Sequence, residues 1–320
     1  MLKTYTIPIT AHQIKDLYNL WINHGFENEL NIDINKNLLT GIENNVNSIK
    51  LYTYQNKSSI QSTAIIVANN QNPSISALGE VCTSIEFRGN GYAKKLCKKI
   101  VDDYFSIDER EGIFLGTVNP VAKKIYESLG WQSISNSNVM FNSKEKKTFE
   151  NFLGQYYDCD LKRTISCGNS NFRISIIPFV LSLRSKNQID LNSKINLIHD
   201  SSGCLSLYNK FDFINKKQGK WFCVSNNQNK IFSIASYLAD DGKNIRLDGL
   251  FNSLWDVETF KLLTYLIMDI KKNNPKSIYA EIYEKDKVKF KLFSELGFVE
   301  KESYQKEIDG EVLGFKKFIL

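Results

Sequence analysis

The residues best placed to do chemistry in this 320-residue chain are Arg88-Gly89-Asn90-Gly91-Tyr92-Ala93, which join a strand-like run to a helix-like one. Glycine reaches backbone angles that other residues resist, so two of them let successive N–H groups converge on one point. That point lies at the start of the following helix, where the helix dipole is positive. Such a turn can cradle a pyrophosphate; the plainer reading is a tight strand-to-helix turn with incidental glycines. Lys94 and Lys95 fall in the first helical turn, an awkward place for a cation unless an anion is near, although both also suit a solvated helix face. Some thirty residues on, Val118–Trp131 reads VNPVAKKIYESLGW, a helix-like run with Tyr126 near its end and Gly130 as its stop.

At these residues the chain resembles the GNAT acyltransferases. Their acetyl-CoA signature is Arg or Gln, two residues, Gly, one residue, then Gly or Ala, and Arg88, Gly91 and Ala93 fit it. Asn119, Ala122, Tyr126 and Gly130 match the family's last helix. The two motifs, with a strand between them, span Val81–Trp131. The resemblance implies acetyl-CoA as cosubstrate, no metal, and a small-molecule amine as acceptor. It places the backbone of Val81, Cys82 and Thr83 against the pantetheine arm, with the Thr83 N–H facing the thioester oxygen. Loss of one such oxyanion donor costs about 2.7–4 kcal/mol in enzymes of this logic. The backbone of Gly89, Asn90, Gly91, Tyr92 and Ala93 would hold the pyrophosphate, flanked by Arg88 and assisted by Lys94, with Asn119 and Ala122 completing the cofactor site.

Two catalytic assignments follow from the same resemblance. Transfer expels a CoA thiolate, and the Tyr126 phenol would protonate it as the tetrahedral intermediate collapses; the alternative is a core aromatic beside Ile125 and Leu129. The attacking amine must lose a proton, and Glu80 is the nearest carboxylate. Alternation along a strand puts Glu80 and Glu86 on one face, where either is equally explained as a solvated or paired acid. Glu27 and Glu29, in the loop after the first helix, could draw a cationic amine or be ordinary surface acids.

The elements that must position these groups are legible from periodicity. Thr10 and Gln13 form a capping pattern before Ile14, Leu17, Leu20, Trp21 and Ile22, so a helix is expected over Thr10–Phe26. Strand-like runs follow at Ser48–Tyr54, Gln61–Ala68 and Leu78–Phe87, then a helix at Tyr92–Tyr104, a strand at Ile113–Val118 and a helix at Pro120–Leu129. The lysine-rich stretch Asn142–Glu150 marks an expected boundary between a catalytic domain, 1–150, and a second domain, 151–320.

The second half repeats part of this order: strand Ile245–Phe251, helix Val257–Lys272, strand Ser277–Tyr283, helix Lys287–Glu295. Gly130 and Gly297 lie 167 residues apart, and that offset pairs Leu96 with Leu263 and Ile100 with Ile267. It also sets Trp255, Glu258 and Phe260 against Arg88, Gly91 and Ala93, and Phe293 against Tyr126. The second domain is therefore expected to keep the fold without the site, in a supporting or acceptor-binding role. The expected fold class is α/β (α+β): two GNAT-like domains, each a mixed, mostly antiparallel sheet flanked by helices.

Composition excludes other classes. The formal charge is +6, but 41 Lys and Arg are scattered among 35 acids, which suits a bound anionic cofactor rather than nucleic acid. No window is apolar for long enough to span a membrane, and the N-terminus has no secretory pattern, so a cytoplasmic monomer or homodimer is expected. His12, His24 and His199 have no metal spacing. The six cysteines show no CxxC pair and read as small apolar fillers. The layout resembles that of self-resistance acetyltransferases from antibiotic producers, which makes an amine-bearing antibiotic one expected acceptor. A non-catalytic acyl-CoA sensor and a protein or peptide N-acetyltransferase are the competing readings.

Overall fold

Thr10 and Gln13 cap the first helix reciprocally, the Thr10 N–H reaching Gln13 Oε1 at 3.0 Å and the Gln13 N–H reaching Thr10 Oγ1 at 3.3 Å. This helix, α1 (Ala11–His24), belongs to a computed structural model that describes residues 1–24, 38–56, 59–158, 161–183, 187–198, 204–240 and 243–320. Glu27 and Glu29 lie outside the described residues. The chain divides into two units, Met1–Asp158 with Ser202–Leu207, and Cys159–Ser201 with Tyr208–Leu320.

Among the described residues the first unit is built on seven strands: β1 (Leu2–Thr6), β2 (Asn47–Gln55), β3 (Ile60–Asn69), β4 (Ile75–Thr83), β5 (Gly112–Gly116), β6 (Gln132–Ser133) and β7 (Val139–Ser143). Their order is β1-β2-β3-β4-β5-β7-β6, antiparallel throughout except for the parallel pair β4–β5. β1 was not expected from the sequence, because its alternation is short and only half-buried. Helix α2 (Tyr92–Phe105) buries Leu96, Cys97, Ile100 and Tyr104 against Tyr52, Ala64, Ile66, Leu78, Ile113 and Leu115 of the sheet. Full burial of such a side chain is worth about 1.5–3 kcal/mol, so this seam fixes the turn that precedes α2. The same core cluster takes in Tyr126 from α3 (Pro120–Glu127).

One expectation is corrected here. The third strand was expected to reach Phe87, but β4 ends at Thr83 and Ile85–Phe87 forms one 3-10 turn. Ser84 explains the stop, since its hydroxyl bonds the Glu86 carboxylate and its carbonyl accepts the Phe87 N–H. Glu86 therefore shares no strand face with Glu80. The polar stretch Asn142–Glu150 includes the end of buried β7 and the start of helix α4 (Phe149–Tyr157). Aromatic packing holds α4 to the sheet: Phe152 lies 4.7 Å from Phe141 and Phe149 lies 6.0 Å from Phe114.

The second unit carries β8 (Thr164–Cys167), a small hairpin of β9 (Ile189–Asp190) and β10 (Ile195–Asn196), then β11 (Gly219–Ser225), β12 (Ile231–Ala239), β13 (Asn244–Leu250), β14 (Ser277–Tyr283), β15 (Val299–Ile308) and β16 (Glu311–Ile319). Its helices are α5 (Ile176–Ser182), α6 (Leu207–Lys216), α7 (Asp256–Lys271) and α8 (Lys287–Glu295). Read from β8, its large sheet runs β8-β11-β12-β13-β14-β16-β15, again with one parallel pair, β13–β14. The 167-residue offset holds at the last helix, where Gly130 and Gly297 both have positive φ and Trp131 and Phe298 donate to the carbonyls of Tyr126 and Phe293. One helix earlier it needs correction. The buried face Leu96, Cys97, Ile100, Tyr104 matches Leu262, Leu263, Leu266, Ile270 at an offset one residue shorter. Burial periodicity, not glycine spacing, sets that register, so Arg88, Gly91 and Ala93 stand opposite Leu254, Val257 and Thr259.

Candidate active site

β4 and β5 part company after Leu78, whose partner Leu115 is the last in their parallel register. The cause is an extra residue in β4. Against β3, Thr63 faces Cys82 and Ile65 faces Gly79, so Ala64 alone spans Glu80 and Val81. Glu80 takes up the extra length with φ of 53°, in the left-handed region that a non-glycine residue enters at a cost of about 1–3 kcal/mol. The bulge is pinned from α1: Trp21 Nε1 donates to Thr63 Oγ1 at 3.0 Å, and Thr63 Oγ1 donates to the Glu80 carbonyl at 2.9 Å. A bulge re-aims the side chain it carries. Simple alternation could not have placed Glu80, which lines a cavity of about 430 Å³ together with Tyr126, Thr117 and Asn138.

A second cavity, of about 660 Å³, adjoins these residues on the turn side. Val81, Cys82, Thr83, Arg88, Gly89, Gly91, Tyr92, Ala93, Lys94, Asn119, Ala122 and Tyr126, each singled out in the sequence, all line it. Asn90 does not; its amide donates to the Phe87 carbonyl at 3.1 Å and braces the turn from within. Gly89 and Gly91 have φ of 84° and 71°, with open space where a side chain would stand, so conformation and not crowding demands glycine. Gly91 caps α2 without a side-chain acceptor, and the first turn of α2 holds no acid, which leaves its positive end available to an anion.

Neighbouring side chains divide between structure and site. Arg88 Nε donates to the Thr83 carbonyl at 3.2 Å and so ties the turn to β4. The rings of Tyr54 and Tyr92 stack at 4.0 Å, and Lys95 lies over both, at 5.8 and 5.6 Å. Lys95 is thus committed to aromatic faces, whereas Lys94 borders the cavity. The Asn119 side-chain oxygen, Oδ1, accepts from the Val121 and Ala122 N–H groups at 2.9 and 3.2 Å, capping α3. Phe87, Val121 and Ile125 also line the cavity. The sequence reading passed over them because apolar residues at such spacing ordinarily mark a core.

Tyr126 lines both cavities, together with Val81, Asn119 and Ala122. It is 6% exposed, and burial, with Cys97 as a lesser influence, pushes its phenol well above the ordinary range. Burial also raises the Cys82 thiol, to about 11, and the Cys97 thiol, to about 12. Four of the described cysteines are buried as expected, but Cys167 is exposed, on the half-buried end strand β8. Cys159 and His199 lie outside the described residues. Among the described residues no group of His, Cys, Asp and Glu could hold a metal, and no helix is long and apolar enough to cross a membrane.

Residues 54–140 match the model of the family described as FR47-like protein, while no curated protein matches the chain. Among solved structures, an N-acetyltransferase from Staphylococcus aureus Mu50 is 12% identical with a TM-score of 0.40, over 50% of this chain and 98% of that one. Ribosomal-protein-S5-alanine acetyltransferase from Vibrio fischeri is 14% identical with a TM-score of 0.39, over 49% and 92%. Spermidine N-acetyltransferase from Vibrio cholerae, in complex with CoA and spermine, is 16% identical with a TM-score of 0.35, over 45% and 96%. These likenesses are too distant to bear on the chemistry of the site. The family match, in contrast, covers the bulge at Glu80, the Gly89–Gly91 turn and Tyr126, so the stretch 54–140 of the first unit is similar to the GNAT-related FR47-like family.

Proposed function

We propose that the first unit transfers the acetyl group of acetyl-CoA to a primary amine of a small molecule, by direct attack within a ternary complex. The observation that carries this reading is that Tyr126 faces both the cavity bounded by the Gly89–Gly91 turn and the cavity that holds Glu80. The first cavity takes the cofactor, its diphosphate against the N–H groups at the start of α2. The second takes the amine, and the thioester sits where they meet.

The amine nitrogen, having lost a proton to Glu80 directly or through water, attacks the thioester carbonyl and forms the C–N bond. The tetrahedral oxyanion is held by backbone N–H groups of the parted stretch of β4. The C–S bond then breaks, Tyr126 gives its proton to the departing sulfur, and the surplus proton on the new amide nitrogen passes back to the phenolate through water. Burial holds Tyr126 as the neutral phenol, so its proton is present when the thiolate forms. The same burial keeps Cys82 as a thiol, which disfavours an acyl-cysteine intermediate and favours direct attack.

The second unit, in this reading, supports the enzyme or its acceptor binding and holds no acetyl-CoA. The protein works in the cytoplasm, where acetyl-CoA is at hand, and an amine-bearing antibiotic falls within the acceptor class. The test is release of free CoA from acetyl-CoA in the presence of polyamines, aminoglycosides, amino-acid amides and peptide antibiotics, with mass mapping of the modified nitrogen. Acetyl-CoA binding without turnover on any amine would instead make the unit an acyl-CoA-binding module.

A further inference from the structure

Gly79, next to the bulge, has no side chain, and the place a side chain would occupy is already taken. A methyl built on it would stand 2.7 Å from Leu205 Cδ1. Leu205 comes from far along the sequence, yet it counts with the first unit and is only 7% exposed. Its neighbours Cys204 and Ser206 line the same 430 Å³ cavity as Glu80 and Tyr126, Cys204 buried and Ser206 exposed at the rim. The Leu207 N–H donates back to the Cys204 carbonyl at 3.3 Å, closing a turn that presents Leu205 inward.

We propose that the turn Cys204–Leu207 is a specificity element of the acceptor site, with Leu205 setting its depth and Ser206 its mouth. The proposal rests on the acetyl-transfer reading above and narrows it to a chemical class. Among the described residues lining this cavity Glu80 alone is charged; Thr117, Ser206, Asn138, Asn119 and the Tyr126 phenol supply neutral polar groups, and the rest is apolar, cysteine or glycine. Such a wall favours a compact cationic amine carrying a hydroxyl or amide. It disfavours an amine bearing its own carboxylate, which would meet the like charge of Glu80. Leu205 caps the cavity beside Gly79, so long amines are excluded by size and not by charge.

The experiment compares the intact chain with Leu205→Ala, Leu205→Trp and Ser206→Trp, measuring acetyl-CoA affinity by calorimetry and kcat/KM on ethanolamine, propanolamine, glycine, putrescine and spermidine. The expected result is that the unaltered protein prefers ethanolamine or propanolamine to glycine by at least about tenfold, the worth of ~1.4 kcal/mol of discrimination. Leu205→Ala shifts preference toward putrescine and spermidine by a similar factor. Leu205→Trp lowers kcat/KM for every amine, and acetyl-CoA affinity stays within twofold throughout. Ser206→Trp alters only an exposed position, so it reports even if a change at the buried Leu205 disturbs folding; it should lower kcat/KM for the longer amines. Amine profiles unchanged in Leu205→Ala and in Ser206→Trp overturn the specificity element while leaving acetyl transfer standing. Acetyl-CoA binding with no transfer to any of these amines overturns the compact-amine class. Failure of the unaltered chain to bind acetyl-CoA at all overturns the functional reading itself.

Discussion

The two large sheets share one strand order and one parallel pair, β4–β5 in the first unit and β13–β14 in the second, and both leave a gap where that pair ends. What fills the gap differs. In the first unit the bulge at Glu80 breaks the β3–β4 register and the gap stays open as a cavity. In the second, β13 follows β12 without a register shift through Leu250. The stretch before β10 lies along its free edge: the Leu191 N–H reaches Asp248 at 2.7 Å, and Gln188 exchanges bonds of 2.6 and 2.9 Å with the Phe251 backbone. Lys289, from α8, is 1% exposed, pairs with the Asp248 carboxylate and donates to the Ile189 carbonyl at 2.6 Å. The approach to α7 also lacks what the first turn has, since no residue from Asn252 to Val257 has positive φ. Strand order fixes where a site can form. One extra residue, two left-handed glycines and the absence of a plug decide whether it does.

The comparison breaks most visibly at the paired rings. Tyr126→Phe should lower kcat by about 100- to 10,000-fold with acetyl-CoA affinity nearly intact, the range for a lost general acid. Phe293→Tyr, its counterpart, should restore nothing, because Phe293 lies fully buried in the plugged unit. Steady-state rates and calorimetry decide it; an unchanged kcat with chemistry rate-limiting would assign Tyr126 to packing.

Next in size is the plug. Burial raises Asp248 to about 6 even though Lys289 opposes the shift, so the carboxylate depends on its partner. Lys289→Met should cost about 3–5 kcal/mol in urea unfolding, whereas Asp248→Leu with Lys289→Met should recover most of it. Acetyl-CoA affinity should not move in either variant. A cost below about 1 kcal/mol would mean that hydrophobic packing alone closes the second gap.

Gly91→Ala isolates the turn. With φ at 71° and open space around the added methyl, the penalty is conformational, about 1–2 kcal/mol, and should appear as roughly 5- to 30-fold weaker acetyl-CoA binding. Unchanged affinity in calorimetry would show that the cradle does not need the left-handed angle.

The smallest effect is one of pH. Because burial raises the Tyr126 pKa, its acid form persists above the ordinary value of about 10. A plot of kcat against pH should therefore have no falling limb below about pH 10 that belongs to Tyr126. A falling limb near pH 8–9 that disappears in Tyr126→Phe would contradict the burial argument.

The turn, the helices and the repeated order were legible in the sequence because each depends on neighbours within a few residues. A helix start needs Thr10 and Gln13 three apart, a left-handed turn needs glycine at two positions, and a buried face repeats every three or four residues. Even there, glycine spacing put α7 one residue out of register, since only packing against the sheet tells which face is buried. Tertiary structure alone decided the rest. Alternation predicts a straight strand, so the bulge that re-aims Glu80 was invisible until β3, Thr63 and Trp21 were seen to pin it. Leu205 reaches Gly79, and Gln188 reaches Phe251, across separations that leave no periodic trace in sequence. Such contacts are chosen by the whole packed unit, in which an open gap costs buried surface and a filled one needs every polar group paired.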